Sequence, residues 1–253
     1  MASGTSAADA KMIWLREEPS ARNPSHTRQQ IAAAALELAD AEGFEAVSMR
    51  RLAQRLGAGT MTLYHYIRNK DELVTLMADA VIAETLVPED ELAVDDWREA
   101  MRQIATRTRE TFRRHRWALD RLDYAHPGPN ALRGFEQELR ACAGLEIPVE
   151  ERFELVTFVN DYVYGFALRE AREIEEQERG WEPEVLEFLQ LQLDSEDFPE
   201  FRHLLGDDIE AGFAWAGELF LGEGRFERGL ERLLDGIQAA LDGGRSPRGA
   251  RRR

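Results

Sequence analysis

An all-α fold is what this chain of 253 residues predicts, on three observations. Apolar residues recur at spacings of three and four through most of its length. No stretch shows the period-two alternation of a half-buried strand, and no internal repeat is visible. Four of the nine prolines (Pro19, Pro24, Pro127 and Pro129) fall outside the long periodic stretches, so those helices run unbroken.

Residues 1–26 mix Gly, Ser, Pro and both signs of charge, and read as a flexible N-terminal arm with a single apolar patch, Met12–Leu15. Thr27 and Gln30 stand at capping-box spacing, and Ile31, Ala35, Leu38 and Ala39 repeat along the helix they open. Gly43 stops that helix. Ser48 caps the next, which is about two turns long and ends at Gly57, and a third short helix is expected over 60–67. "NKDEL" begins a fourth, with Leu73, Leu76, Met77, Ala80 and Val81 as its apolar stripe. Trp97, Met101, Ile104, Ala105, Thr108 and Phe112 mark the face of another. "HPGPN" breaks the chain before a helix over 131–143, and a long helix is expected over 148–179. Shorter helices follow at 183–192 and 198–205, then a strong one through Phe226, Leu230, Leu234 and Leu241. The tail from residue 243 carries five arginines and reads as a disordered basic end.

Composition sets limits. With 43% apolar and 32% charged residues the chain reads as globular and large enough for one big domain or two smaller ones. No apolar run approaches the ~20 residues that span a bilayer, and no signal segment is visible, so a cytoplasmic protein without membrane contact is expected. The lone Cys142 excludes an internal disulfide and a cysteine-based zinc site. The formal charge of −16 argues against nonspecific binding of nucleic acid, but it is unevenly spread. Residues 1–70 hold nine Lys/Arg against seven Asp/Glu, which leaves 23 against 41 for the remainder. Within 46–70 there are five basic residues and no acidic one. That is the footprint of a small nucleic-acid-facing module on an acidic body.

Helix, tight glycine turn and short second helix form a helix-turn-helix pattern in "MRRLAQRLGAGTMTLYHYIRNK". Leu52 and Leu56 on the first helix, with Leu63 and Ile67 on the second, make the seam to be buried. Ala53 is small where the helices cross. Thr60, Met61, Thr62 and Tyr64 are left to face outward, able to meet a major groove without adding charge.

The stretch from Thr27 to Leu73, and "TLYHYIRNKDEL" most of all, resembles the DNA-binding domain of TetR-family transcriptional regulators. The resemblance implies DNA contacts from Ser48 and Arg50 on the second helix, from Thr60, Met61, Thr62, Tyr64 and Tyr66 on the third, and from Lys70 at the start of the fourth. Tyr64, Tyr66 and Lys70 suit phosphate positioning; Arg50, Thr60 and Met61 suit sequence readout. "GPNALRGFEQEL", "VYGFALREA" and "FERGLERLLDGI" are similar to segments of the tetracycline-repressor branch. The implied organisation is a DNA-binding domain over 27–70, an effector-binding and dimerisation domain over 71–242, and a homodimer paired through helices near 148–179 and 223–241. The implied partners are a double-stranded DNA operator and a small-molecule effector.

Leu86, Trp97, Ile104, Thr108, Phe112, Trp117, Leu122, Phe135, Phe158, Tyr162 and Arg169 are the candidates to line the effector pocket, each with an alternative reading as plain core. Without gaps, the magnesium-ligating His and Glu of tetracycline repressors fall on Leu122 and Arg169. Neither side chain holds Mg²⁺, so the expected effector is an apolar or aromatic molecule without a metal, anionic if Arg169 faces it. No cofactor, metal or catalytic residue is expected. Two rival readings remain: a helical scaffold or adaptor without DNA binding, and a helical-bundle enzyme. For the enzyme "EFRH" offers one Glu-x-x-His pair where a di-iron site needs two.

Overall fold

The computed structural model describes residues 12–19, 26–119, 126–195 and 197–243. Regular structure among them is entirely helical. The helices are α1 (Arg28–Glu42), α2 (Met49–Leu56), α3 (Thr60–Tyr66), α4 (Lys70–Thr85), α5 (Trp97–Arg114), α6 (Pro129–Ala141), α7 (Val149–Arg179), α8 (Pro183–Leu193), α9 (Pro199–Leu205), α10 (Ile209–Leu221) and α11 (Arg225–Asp242). Single 3-10 turns lie at Ile13–Leu15, Phe44–Ala46 and Arg116–Ala118. Two compact units divide the chain, Met1–Val156 and Thr157–Arg253. None of the described helices is long and apolar enough to cross a membrane.

In the first unit α1 starts at the expected capping box: the Gln30 amide donates to Thr27 Oγ1 at 3.1 Å, and the Thr27 amide donates to Gln30 Oε1 at 2.9 Å. Its apolar stripe (Ile31, Ala35, Leu38, Ala39) is buried, and α1 packs on both α2 and α4. The segment read as a free arm is held down in part. Ile13 is buried, and three backbone carbonyls of this segment, those of Ile13, Arg16 and Glu17, accept from the Arg28 guanidinium. Tyr66 O takes a fourth bond from Arg28 Nε, and Arg16 pairs with Glu72 of α4. A guanidinium supplies five donors in a fixed fork, which is why one buried arginine can gather four carbonyls. Burial first, and Arg16 next, pull the Arg28 pKa below its ordinary value.

Helix α4 lies between α1 on one side and α5 and α6 on the other. Its buried Asp79 reaches the start of α6. The Asn130 backbone amide donates to Asp79 Oδ1 and the Asn130 side-chain amide to Oδ2, both at 2.8 Å. A carboxylate there meets the orphan donors and the positive end of the α6 dipole. Burial nonetheless raises the Asp79 pKa, with the Asn130 and Ala131 hydrogen bonds opposing. Gly128 at the α6 cap lies so close that a Cβ would overlap Asp79 and the Trp14 ring. Just beyond α4, Gln137 of α6 clasps the Val87 backbone, accepting from its N–H at 3.0 Å and donating to its O at 2.7 Å.

In the second unit α7 and α11 meet through an aromatic trio. The Phe226 ring centroid lies 5.6 Å from that of Tyr162 and 5.1 Å from that of Phe166. Phe226, Leu230 and Leu234 of α11 are fully buried. A separate small core joins Leu193, Leu205 and Ile209 from α8 to α10, with Leu189 and Phe213 packed on it. Helix α10 is an addition to the expected element order, which has nothing between 205 and the last helix.

Two outcomes follow from this packing. Asp79→Ala leaves the first N–H groups of α6 without their acceptor and lowers the unfolding free energy by about 1–3 kcal/mol, read as a lower denaturant midpoint at unchanged slope. Cys142 is fully buried, and desolvation, with Arg152 opposing and Glu138 adding, raises its thiol to about 11. A thiol reagent in mildly alkaline buffer therefore leaves the native protein unlabelled and reacts at once after unfolding.

Candidate functional site

The turn between α2 and α3 has the geometry its sequence requires. Gly57 sits at φ 63°, ψ 27°, the left-handed region where a side chain is strained. Ala58 N closes the α2 end on Ala53 O at 2.9 Å. Ser48 Oγ accepts from the Arg51 amide at 3.4 Å and caps α2. Leu52, Leu63 and Ile67 are fully enclosed and Ala53 is buried, while Leu56 is only half-buried.

That seam turns one face of α3 outward. Met61 is 72% exposed and Tyr64 42%, with Thr60 and Thr62 half-buried beside them and His65 open to solvent. Ser48, Arg50 and Lys70 are exposed on the flanking elements. Tyr66 departs from its expected place: it is 4% exposed, its ring part of the core beneath the α3 C-terminus. The reason is helical phase. Tyr66 follows Leu63 by three positions and shares its inward face, whereas Tyr64 points away.

The basic flank is also differently deployed. Arg51 pairs with Glu42 at 2.5 Å and Arg55 with Glu37 at 2.7 Å, so both arginines face carboxylates of α1. The Arg51 hydrogen bond holds the Glu42 carboxyl below its ordinary pKa. Arg50 makes no ion pair among the described residues, and Lys70 Nζ sits 5.1 Å over the Phe44 ring. Phe44 in turn stacks on Trp117, centroids 5.5 Å apart. Trp117 Nε1 donates to Asp40 Oδ1 at 2.8 Å; the same oxygen lies 2.8 Å from His115 Nδ1, and His115 Nε2 is 3.2 Å from Glu84 Oε2. His115 is buried. A continuous run of contacts therefore leads from Lys70 beside the outward face of α3 to the end of α5.

The expected pocket residues separate into groups. Ile104, Thr108 and Phe112 are buried on α5, Phe135 sits on α6 with its ring edge-on to Phe153, and Leu86 ends α4 next to Gly134 of α6. These belong to three helices that pack on one another. Trp97 is half-buried at the start of α5. Trp117 is taken up by the Phe44–Asp40 contact, and Leu122 lies outside the described residues. In the second unit Phe158 is 53% exposed. Tyr162 spends its hydroxyl on Phe226 O at 2.9 Å, so the phenol finds its polar partner inside the α7–α11 core. Arg169 stacks on Phe220, 4.3 Å from its centroid, at the wall of a cavity of about 590 Å³ that also involves Trp181, Phe213 and Glu173. Among the described residues no group of three or more His, Cys, Asp or Glu could hold a metal ion.

Comparison with known proteins places two family profiles along the chain. The profile of "Bacterial regulatory proteins, tetR family" matches residues 31–77, and that of "Tetracyclin repressor-like, C-terminal domain" matches residues 88–241. The transcriptional repressor DrrR1 of Streptomyces coeruleorubidus is 32% identical over 250 residues, covering 94% of this chain and 88% of its own. The class E tetracycline repressor of Escherichia coli is 27% identical over 140 residues, 55% of this chain and 66% of its own. Among solved structures, ActR of Streptomyces coelicolor in complex with actinorhodin superposes with a TM-score of 0.60 at 31% identity, over 85% of this chain and 98% of ActR. With an exposed α3 face built on a helix-turn-helix and both family profiles matched, the chain belongs to the TetR family of DNA-binding transcriptional regulators.

Proposed function

We propose that this regulator is a repressor that binds a palindromic operator as a homodimer and leaves it when a small, largely apolar or aromatic effector enters its body. It acts in the cytoplasm and without catalysis. The observation that carries the reading is the outward face of α3: Met61 and Tyr64 stand exposed, with Thr60 half-buried beside them, on a helix whose other face is locked into the core. In a helix-turn-helix that exposed face lies in the major groove, and two such heads read half-sites about 34–36 Å apart. Arg50, Thr60 and Met61 are assigned to base edges, Met61 by apolar contact with a thymine methyl. Ser48, Thr62, Tyr64 and Lys70 are assigned to the phosphate backbone, and Tyr66 supports α3 from within.

Dimerisation is supported by large apolar side chains left open on α7, Phe153, Phe158 and Tyr164 among them. For the effector, DrrR1 is named a repressor and ActR has been solved with actinorhodin, so a ligand-released repressor agrees with the relatives. Leu86, Ile104, Thr108, Phe112 and Phe135 are the proposed lining in the first unit.

Selection of bound DNA from a random pool tests the whole reading; a palindrome is expected, and a failure to enrich any sequence revives the scaffold. Once the motif is known, Tyr64→Ala weakens binding to all sequences alike, while substitutions at Thr60 change the preference at one base pair. Lys70→Ala reduces the salt slope of log affinity by about one phosphate's worth without altering the preferred sequence. Equal, sequence-independent losses at Thr60 and Tyr64 would remove the division of labour.

A further inference from the structure

The cavity of about 590 Å³ in the second unit is bounded by α7, by α9 and α10, and by the loop that follows α7. Its walls combine two kinds of group. Trp181 and Phe213 pack with ring centroids 4.8 Å apart, and Phe201 lies edge-on to Phe213 at 6.0 Å. Trp181 and Phe201 still keep roughly two-fifths of their surface open, 43% and 40%. Around them stand four glutamates, Glu173, Glu176, Glu210 and Glu218, with Arg169 the one cationic side chain in the lining. None of the four forms a salt bridge or hydrogen bond among the described residues.

Arginine use in this unit shows what the aromatic rings accept. Arg169 lies over Phe220 at 4.3 Å; Arg225 lies 4.8 Å from both Phe220 and Phe166. Both guanidiniums lie over Phe220, and among the described residues no cation stacks on the Trp181–Phe213–Phe201 group. Aromatic faces and carboxylates attract the same class of partner, the first through the ring quadrupole and the second through charge. An anion would have to enter past four unpaired carboxylates with a single arginine already stacked.

We propose that this cavity is a binding site for a flat, lipophilic cation, stacked on Trp181 and Phe213 with its positive charge against Glu173 and Glu176. An anionic effector is expected only if Arg169 faces it; the present cavity takes the opposite charge preference. Glu173 is the half-buried member of the four, and burial followed by Glu176 raises its pKa, with Arg169 and Arg225 opposing. A cation settling beside it supplies a direct ion pair, which neither arginine forms with Glu173 among the described residues. The site is defined within the second unit and stands independently of which operator the head reads.

The test uses the full chain, free of DNA, titrated by fluorescence with ethidium, with phenanthridine as the neutral ring analogue and with anilinonaphthalene sulfonate as an aromatic anion. Ethidium should saturate and bind more tightly than either of the others. Glu173→Gln should weaken ethidium about tenfold and leave phenanthridine unchanged, a charge-specific loss of the size expected for one desolvated cation contact. Trp181→Ala should weaken ethidium and phenanthridine together. Glu150→Gln removes one charge outside the cavity and should change nothing, which separates the site from the general attraction of an acidic chain for cations. Unchanged thermal melting shows that each variant is folded. The inference is overturned if ethidium does not saturate, if Glu173→Gln binds it as the parent does, or if the sulfonate binds best.

Discussion

Helix α4 cannot move without moving its neighbours, because polar side chains tie it down along its length. Glu72 in its first turn takes the Arg16 guanidinium, Asp79 at mid-helix holds the start of α6, and Glu84 near its end meets His115. Arg107 of α5 and Gln137 of α6 then occupy backbone groups at and beyond its last turn. Apolar packing alone tolerates sliding, since dispersion contacts are many and weak, whereas hydrogen bonds lose most of their value within an ångström. The first unit is thus built around one helix whose register is specified at several points. The reading helix inherits that definition through Leu63, Ile67 and α2, which packs on both α3 and α1.

What the sequence made legible was whatever rests on local chemistry. The Thr27–Gln30 box, the Ser48 cap, the left-handed Gly57 and the Leu52–Leu63–Ile67 seam all lie where their residue types require. Helix α10 escaped notice because "IEAGFAWAGELFL" has two glycines and little polar face, so no 3.6-residue contrast stands out. Its partners on α8 and α9 supply the stability that pattern cannot reveal. Tyr66 was the reverse case: its motif neighbours suggested an exposed pair of tyrosines, but phase on the helix separates them. The spacing from Leu63 was the available signal. Asp79 offered no warning at all, since an acidic residue in a helix reads as solvated until its partner 51 positions away folds against it.

Charge in this protein follows a division that totals conceal. The body is acidic enough to carry unpaired carboxylates around an aromatic cavity, while the segment 46–70 has no acid of its own. Yet the head is less basic than its count implies. Arg28 is buried as an internal staple, Arg16 is paired with Glu72, and Arg51 and Arg55 face glutamates across from α1.

That internal use of arginine bears on how such a protein would find its target. Grip on arbitrary DNA comes from side-chain cations that neutralise phosphates and release their counterions, and a head with many of its arginines turned to carboxylates or carbonyls of its own holds random sequence weakly. Under the proposed assignment, discrimination falls to Arg50, Thr60 and Met61, and the genome's vast excess of wrong sites acts as a smaller sink. The buried Arg28, a structural staple at first sight, is also one cation withheld from arbitrary phosphates.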